Sequence, residues 1–412
     1  MTKRLRLADA PRLTKYGHMQ FTPQLPDLSH PSGMASVSEI GAATEEALVH
    51  SASRLATPAL VIQAAVVRRN ISRLAEYAKR HGLLVRPHTK THKSQMMARL
   101  QLEAGAVGLT VAKVGEAEQM RPTGDDLLMA YPAVDSARCE RLAEIARNGT
   151  LRVAVDSRQA VDALATSACG ANSLIGLLVE MDVGLGRTGV GTPEETLKLA
   201  QYISGIRGVR LDGILCYPGH IWAAADEQEP FLSTVSSRLR AAQALWSEHG
   251  LEAKIISGGS TPTAYQSHLV QGLTEIRPGT YIFNDMNTFR AGFCELSDCA
   301  AHIVCTVISD AVKDQVVIDA GTKTLTSDLC IPARESGHGF IMEYPEAKIT
   351  RLSEEHGQVD VSLCTKRPKI GERLSIIPNH ICPCVNLRDV FWWCEPDGAA
   401  VSVKINARGM LS

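Results

Sequence analysis

A lysine set among histidines, a serine–glycine run and a histidine–cysteine pair are the residues whose types and spacing point to chemistry. Arg86-Pro87-His88-Thr89-Lys90 closes an apolar run (Leu83, Leu84, Val85), with His92 and Lys93 just beyond. Cationic neighbours and partial burial favour the free amine of a lysine, which makes Lys90 a candidate for Schiff-base formation with a carbonyl. A solvated surface lysine is the plain alternative. Ser257-Gly258-Gly259-Ser260-Thr261 reads as an anion cradle. Two glycines let backbone approach a phosphate, the N–H groups that follow point at it, and the hydroxyls add donors. An ordinary strand-to-helix turn with an N-cap is the other reading. His380 and Cys382 follow an extended run, RLSIIP, and at i and i+2 both face one way. Nitrogen and thiolate suit zinc, at about 2.0–2.1 and 2.3 Å, and two protein ligands leave positions open for water or substrate. A buried histidine beside an inert cysteine is the alternative.

These residues need a scaffold that brings them together. From residue 57, apolar runs alternate with helix-length segments: 83–90, 106–112, 126–132, 151–157, 175–184, 211–220, 253–260 and 275–282. Near-continuous apolar strands separated by helices imply a parallel sheet covered on both faces. Eight such units make a closed (β/α)8 TIM barrel, an α/β fold whose active sites lie at the C-terminal ends of the strands. An open doubly wound sheet is the rival, but the chain lacks the early GxGxxG that such sheets usually carry. Lys90, Asp182, Tyr217, His220, the 257–261 run and Gly279-Thr280-Tyr281 all fall at those ends, and so converge on one mouth. The run after strand seven also sits where this fold commonly binds phosphate. After residue 300 the pattern becomes short strands joined by Gly and Pro turns. The expected domains are therefore an N-terminal extension (1–56), the barrel (57–300) and a C-terminal β domain (301–412) carrying His380 and Cys382.

Composition limits the alternatives. Forty-three Lys+Arg against 44 Asp+Glu over 412 residues leave a net charge of -1. No basic field is available to hold nucleic acid or an anionic membrane. No stretch approaches the roughly 20 apolar residues that span a bilayer. Eleven scattered cysteines and no apolar region behind the basic start fit a reduced, cytoplasmic protein.

The motifs RPHTKTHK (86–93), EMDVGLGRTGV (180–190), SGGSTPT (257–263), EIRPGTYIFND (275–285), EEHG (354–357) and PNHICP (378–383) occur in one order. With them the chain, from Thr57 to about Asn406, resembles the fold-type III pyridoxal phosphate enzymes of the D-threonine aldolase and D-serine dehydratase family, built on an alanine-racemase-like barrel. The resemblance implies pyridoxal 5'-phosphate bound covalently to Lys90, with phosphate contacts from Ser260, Thr261, Gly279 and Thr280 and with Tyr281 beside them. It implies Arg187 at the pyridine nitrogen, where a permanently protonated guanidinium makes the ring a weaker electron sink. Tyr217 would lie near the Schiff base. His380 and Cys382 would hold a divalent metal: zinc, or else manganese or magnesium.

That resemblance leaves two reactions on a D-3-hydroxy amino acid. Retro-aldol cleavage to glycine and an aldehyde needs a base for the hydroxyl proton, and His220 is placed for it, unless it is a supporting or core histidine. Dehydration to a 2-oxo acid and ammonia needs Lys90 to take the Cα proton while the metal helps hydroxide leave. A cysteine at 382 is the second ligand associated with the dehydratase branch, where aldolases tend to carry a carboxylate. The expectation is the aldolase, with D-serine or D-3-hydroxyaspartate dehydration as the alternative. Racemisation needs no metal. A non-catalytic pyridoxal phosphate carrier is the remaining class, but such carriers are single-domain proteins. A homodimer is expected, since in this fold type a second subunit often completes the mouth.

Overall fold

The computed structural model describes residues 55–330 and 334–412, so the expected N-terminal extension, apart from Leu55 and Ala56, lies outside the described residues. The chain opens with β1 (Ala59–Gln63), which runs directly into α1 (Ala64–Arg80). In α1, Val67, Ile71, Leu74 and Ala78 are buried at three- and four-residue spacing while Arg68 and Arg69 face solvent. That stripe is what fastens the helix to the barrel. Eight parallel strands follow: β2 (Leu84–Val85), β3 (Leu109–Val111), β4 (Asp126–Met129), β5 (Thr150–Val155), β6 (Ile175–Met181), β7 (Val209–Cys216), β8 (Ile255–Gly258) and β9 (Glu275–Ile276). Interleaved with them are α2 (Gln95–Glu103), α3 (Val114–Met120), α4 (Ser136–Arg147), α5 (Arg158–Gly170), α6 (Pro193–Ser204) and α7 (Glu229–Glu248).

The strands lie in the order β2-β9-β8-β7-β6-β5-β4-β3. A parallel bridge between His88 and Thr110 returns the end of β2 to β3 and closes the ring. There Thr89 N donates to Thr110 O at 2.8 Å and Thr110 N to Pro87 O at 2.9 Å. This is the (β/α)8 arrangement expected, and each of the eight apolar runs supplies one strand.

Inside the barrel, charge and hydrocarbon share the space. Leu128, Ala154, Leu178 and Leu215 form one buried cluster. On the same faces of β4 and β5, two residues earlier, stand Asp126 and Arg152. Arg152 reaches Asp126 at 2.5 Å and Asp212 at 2.8 Å, and Arg86 reaches Asp126 at 2.7 Å and Glu275 at 2.9 Å. Two of these pairs join adjacent strands, and two, Arg152–Asp212 and Arg86–Asp126, skip a strand, so the side chains meet inside the barrel as well as along its wall. Gly176 on β6 makes room: a Cβ there would collide with the Asp212 carboxylate and crowd Arg152.

After β9 the chain forms α8 (Met286–Arg290) and then the second domain. Its elements are β10 (Ala301–Ser309), β11 (Gln315–Ile318), α9 (Thr322–Leu325), β12 (Phe340–Ile341), β13 (Lys348–Leu352), β14 (Gly357–Asp360), β15 (Arg373–Ile377), α10 (Ile381–Asn386), β16 (Val390–Cys394) and β17 (Ala400–Lys404). The sheet runs β13-β14-β11-β10-β1-β16-β17, with β15 pairing β10 and β12. Residues 57–300 were assigned to the barrel from sequence, but β1 pairs antiparallel with β10 and parallel with β16. The reason is apolar character on both faces: Val61 packs with Val304 and Cys394, while Leu60 and Ile62 join the main core. Within the region expected to hold short strands, the segment 322–325 is a helical turn. Among the described residues no helix is long and apolar enough to cross a membrane.

Arg86→Leu would leave Glu275 buried without its cation and should cost about 3–5 kcal/mol in urea unfolding. Arg210→Leu, at the half-exposed end of the same network, should cost under about 1 kcal/mol. Equal losses would show that the interior pairs do not govern barrel stability.

Candidate active site

The C-terminal ends of the barrel strands open into a cavity of about 310 Å³, the size of a small-ligand site. Lys90, Tyr217, Ser260, Thr261, Gly279, Thr280, His380 and Cys382 all line it. Lys90 stands in the loop after β2, and its N–H points to His88 Nδ1 at 3.4 Å. Burial, reinforced by Lys90 and Arg277, holds the His88 imidazole well below its ordinary value, so it is neutral at pH 7.

Two backbone donors converge on one hydroxyl of the cavity lining. Gly279 N and Tyr281 N each donate to Thr261 Oγ1 at 3.3 Å, so both N–H groups aim at one oxygen position. A Cβ at Gly279 would come within 2.9 Å of Thr91 Oγ1 and 3.2 Å of His88, so any side chain there would fill the cradle. Converging amides beside an amine suit a phosphorylated aldehyde. Ser260 is buried, with its N–H and hydroxyl both engaged by Thr263.

The second domain reaches the same cavity through α10. His380 immediately precedes that helix, and its Nδ1 lies 2.9 Å from Asp328 Oδ2, which leaves Nε2 for a metal. Burial alone would raise the Cys382 thiol, but the hydrogen bond and charge of His380 hold it below its ordinary value. Burial would likewise lower His380, yet Cys382, Asp285 and Asp328 carry it up to about 9. Once the imidazole proton is released, the His380 nitrogen and the Cys382 thiolate form a donor set suited to zinc. Cys382 Sγ also lies 3.4 Å from Thr91 Oγ1 and 3.7 Å from Thr280 Oγ1, against the cradle. Among the described residues no group of three or more His, Cys, Asp or Glu side chains is placed for a metal.

Three expected site residues stand outside the cavity lining. Arg187 is exposed, its guanidinium carbon 4.8 Å from the centre of the Tyr217 ring, which itself lines the cavity. His220 sits at the rim, where a Cβ on Gly184 would lie 2.9 Å from its Nε2. Partial burial holds its imidazole below the ordinary value against the pull of Asp182. The Tyr281 hydroxyl turns into the core and accepts from Gln101 at 3.0 Å, and Gln101 in turn meets His92 at 3.2 Å.

Other residues at the site went unassigned from sequence. Arg277 is a buried guanidinium lining the cavity, held by Ser257 Oγ and Cys216 O at 2.7 Å each. It stands two residues from inward-facing Glu275, and that alternation was the available signal. Asp285 fastens α10 to α8, accepting from Ile381 N at 3.1 Å and Thr288 N at 3.0 Å. Asp328 carries no local signal. Trp222 forms part of the wall and leans on Phe293, ring centres 5.8 Å apart.

An amine and converging backbone N–H groups thus share one cavity at the mouth of a (β/α)8 barrel, an arrangement that suits a phosphorylated aldehyde. Residues 62–287 match the model of the alanine racemase N-terminal domain, and 300–393 that of a putative serine dehydratase domain. The chain is 31% identical to D-threonine aldolase of Arthrobacter sp over 87% of its length and 94% of that protein. It is 32% identical to D-threo-3-hydroxyaspartate dehydratase of Delftia sp. (strain HT23), over 80% of this chain and 91% of that one. D-threonine aldolase from Filomicrobium marinum superposes with a TM-score of 0.81 at 28% identity, covering 87% of this chain and 97% of that one. The dehydratase has also been solved as a cysteine-to-alanine mutant in a metal-free form, with a TM-score of 0.79 at 28% identity, over 85% of this chain and 97% of that one. A histidine mutant of it alters a position two residues before that cysteine, the spacing of His380 and Cys382. The chain belongs to the alanine-racemase-like family of pyridoxal phosphate enzymes, in the branch that joins that barrel to a serine dehydratase domain. It is a pyridoxal-phosphate-dependent lyase.

His92 is buried, and burial lowers its imidazole to about 4 despite the bonds to Gln101 and Ser94. Between pH 6.5 and 4 the unfolded chain therefore binds the proton more readily, and stability falls as the pH drops through that window. His92→Gln should remove about 2–3 kcal/mol of the wild-type loss between pH 7 and 4.5 in urea titrations. Parallel pH profiles would refute the assignment.

Proposed function

We propose that this lyase acts on D-3-hydroxy-α-amino acids with the help of a divalent metal, cleaving them by a retro-aldol reaction to glycine and an aldehyde. The observation that carries the reading is that Lys90, the amide cradle and the His380–Cys382 pair line one cavity. Bound there, pyridoxal phosphate supplies an electron sink for the bond that breaks at Cα. Lys90 would hold it covalently. Gly279, Thr280, Tyr281, Ser260 and Thr261 would hold its phosphate, and Arg187, beside Tyr217, its ring nitrogen. A zinc, manganese or magnesium ion on His380 and Cys382 would supply a Lewis acid for the hydroxyl and carboxylate of the substrate.

The remaining work falls to this chain's side chains. His220, below its ordinary value, is neutral at pH 7 and able to take the hydroxyl proton. The Lys90 amine moves protons at Cα. Buried Arg277, with Trp222 and Tyr217, lines the cavity around the reacting atoms. Dehydration is the second reading, favoured by Cys382, because a dehydratase relative carries a cysteine at the same spacing from a histidine. A cytoplasmic setting fits eleven free thiols, and a homodimer would complete the mouth.

Incubation with D-threonine, D-serine and D-3-hydroxyaspartate should release glycine and aldehyde, and ammonia in place of glycine would transfer the assignment to dehydration. EDTA should stop turnover while the visible cofactor absorbance stays, and full activity after chelation would remove the metal from the reaction. Lys90→Ala should lose that absorbance and about 10²- to 10⁴-fold in kcat.

A further inference from the structure

The loop that carries Lys90 doubles back at Lys93, whose φ of 50° is a conformation that non-glycine residues keep only when neighbours hold it. The neighbours are identifiable. Lys93 O accepts from Ala407 N at 2.9 Å, and Gln95 N donates to Asn406 Oδ1 at 3.0 Å. Lys93 is buried, and its Nζ donates to Asn386 Oδ1 at 2.9 Å. The same oxygen accepts from Gly409 N at 3.2 Å. Asn386 is the last residue of the six-residue helix α10, whose second residue is Cys382 and whose preceding residue is His380. One side-chain oxygen thus joins the Lys90 loop, the segment 405–412 and the helix bearing the metal-donor pair. A helix of this length is about one and a half turns and moves as a unit.

We infer that Asn386 is a positioning residue, fixing the Lys90 loop relative to α10 and so setting where the cofactor lysine stands against His380 and Cys382. The inference rests on the cofactor and metal roles proposed above. Asn386 touches neither the cavity nor the donor atoms, so it acts through Lys93 and through its own helix. A leucine at 386 has similar bulk and no acceptor, whereas an aspartate keeps an oxygen for both donors.

Cofactor-loaded wild type, Asn386→Leu, Asn386→Asp and Lys93→Met are compared for zinc affinity, by competition with a chromophoric chelator, and for visible ellipticity of the cofactor band, beside kcat and KM. Asn386→Leu should load cofactor yet bind zinc about 10- to 100-fold more weakly, with altered ellipticity and a fall in kcat rather than a rise in KM. Asn386→Asp should restore all three. Should the leucine variant not fold, Lys93→Met, which cuts the same link from the other side, should show the same losses. Wild-type zinc affinity and ellipticity in Lys93→Met, or losses in Asn386→Asp equal to those of the leucine variant, would overturn the inference. Absence of lyase turnover on every substrate would instead count against the proposed reaction, since the zinc and ellipticity readings do not depend on it.

Discussion

Arg86 at the end of β2 meets Asp126 on β4 and Glu275 on β9, and Arg152 on β5 bridges Asp126 to Asp212 on β7. Ser257 links the set upward, donating to Glu275 at 2.5 Å and accepting from Arg277 at 2.7 Å. Side-chain direction alternates along a strand, so a slip of one residue would turn any of these charges out and strand its partner. An uncompensated buried charge costs several kcal/mol, more than a displaced apolar contact of similar size. The strands can therefore close only in the register that neutralises the interior. The top of that ladder is Arg277, on the floor of the cavity, so the same constraint that aligns the barrel sets the base of the active site.

The cavity is nonetheless a product of two domains. The barrel supplies the amine and the phosphate cradle, while α10 brings nitrogen and sulfur from beyond residue 378. Asp285 is the hinge between these contributions, because one carboxylate caps α8 and also receives Ile381 N. Burial raises it above the ordinary carboxylate range, and the charge of His380, the donated N–H bonds and the Thr288 hydroxyl oppose that cost. Its identity is thereby tied to the pair it supports.

The barrel was readable in the sequence because its strands are buried on both faces and appear as unbroken apolar runs ending in polar residues. β2 and β9 keep only two paired residues each and were visible chiefly through the motifs that follow them. β1 was hidden for a physical reason: its apolar residues run without a turn into α1, so nothing local marks the change of element or of partner sheet. The strand-end rule predicted which loops reach the mouth but not which way each side chain turns. Lys90 and Thr280 face the cavity, whereas the Tyr281 ring, one residue on, turns into the core toward Gln101. Arg187 and His220 follow glycine-rich bends whose direction only the folded backbone reveals. Asp328 and Asn386 act across long separations, the first through its bond to His380 and the second through two donors on one oxygen, which leaves no periodic trace.

The place of β1 in the second sheet has a consequence for how the molecule is made. On the ribosome β1 is synthesised before any barrel strand, while β10 and β16, which flank it, follow the last of them. Through all of that elongation Leu60 and Ile62, fully covered in the finished protein, have no sheet to enter. The nascent chain thus carries an unpaired apolar strand until translation is nearly over, a segment exposed to misassembly through all that time.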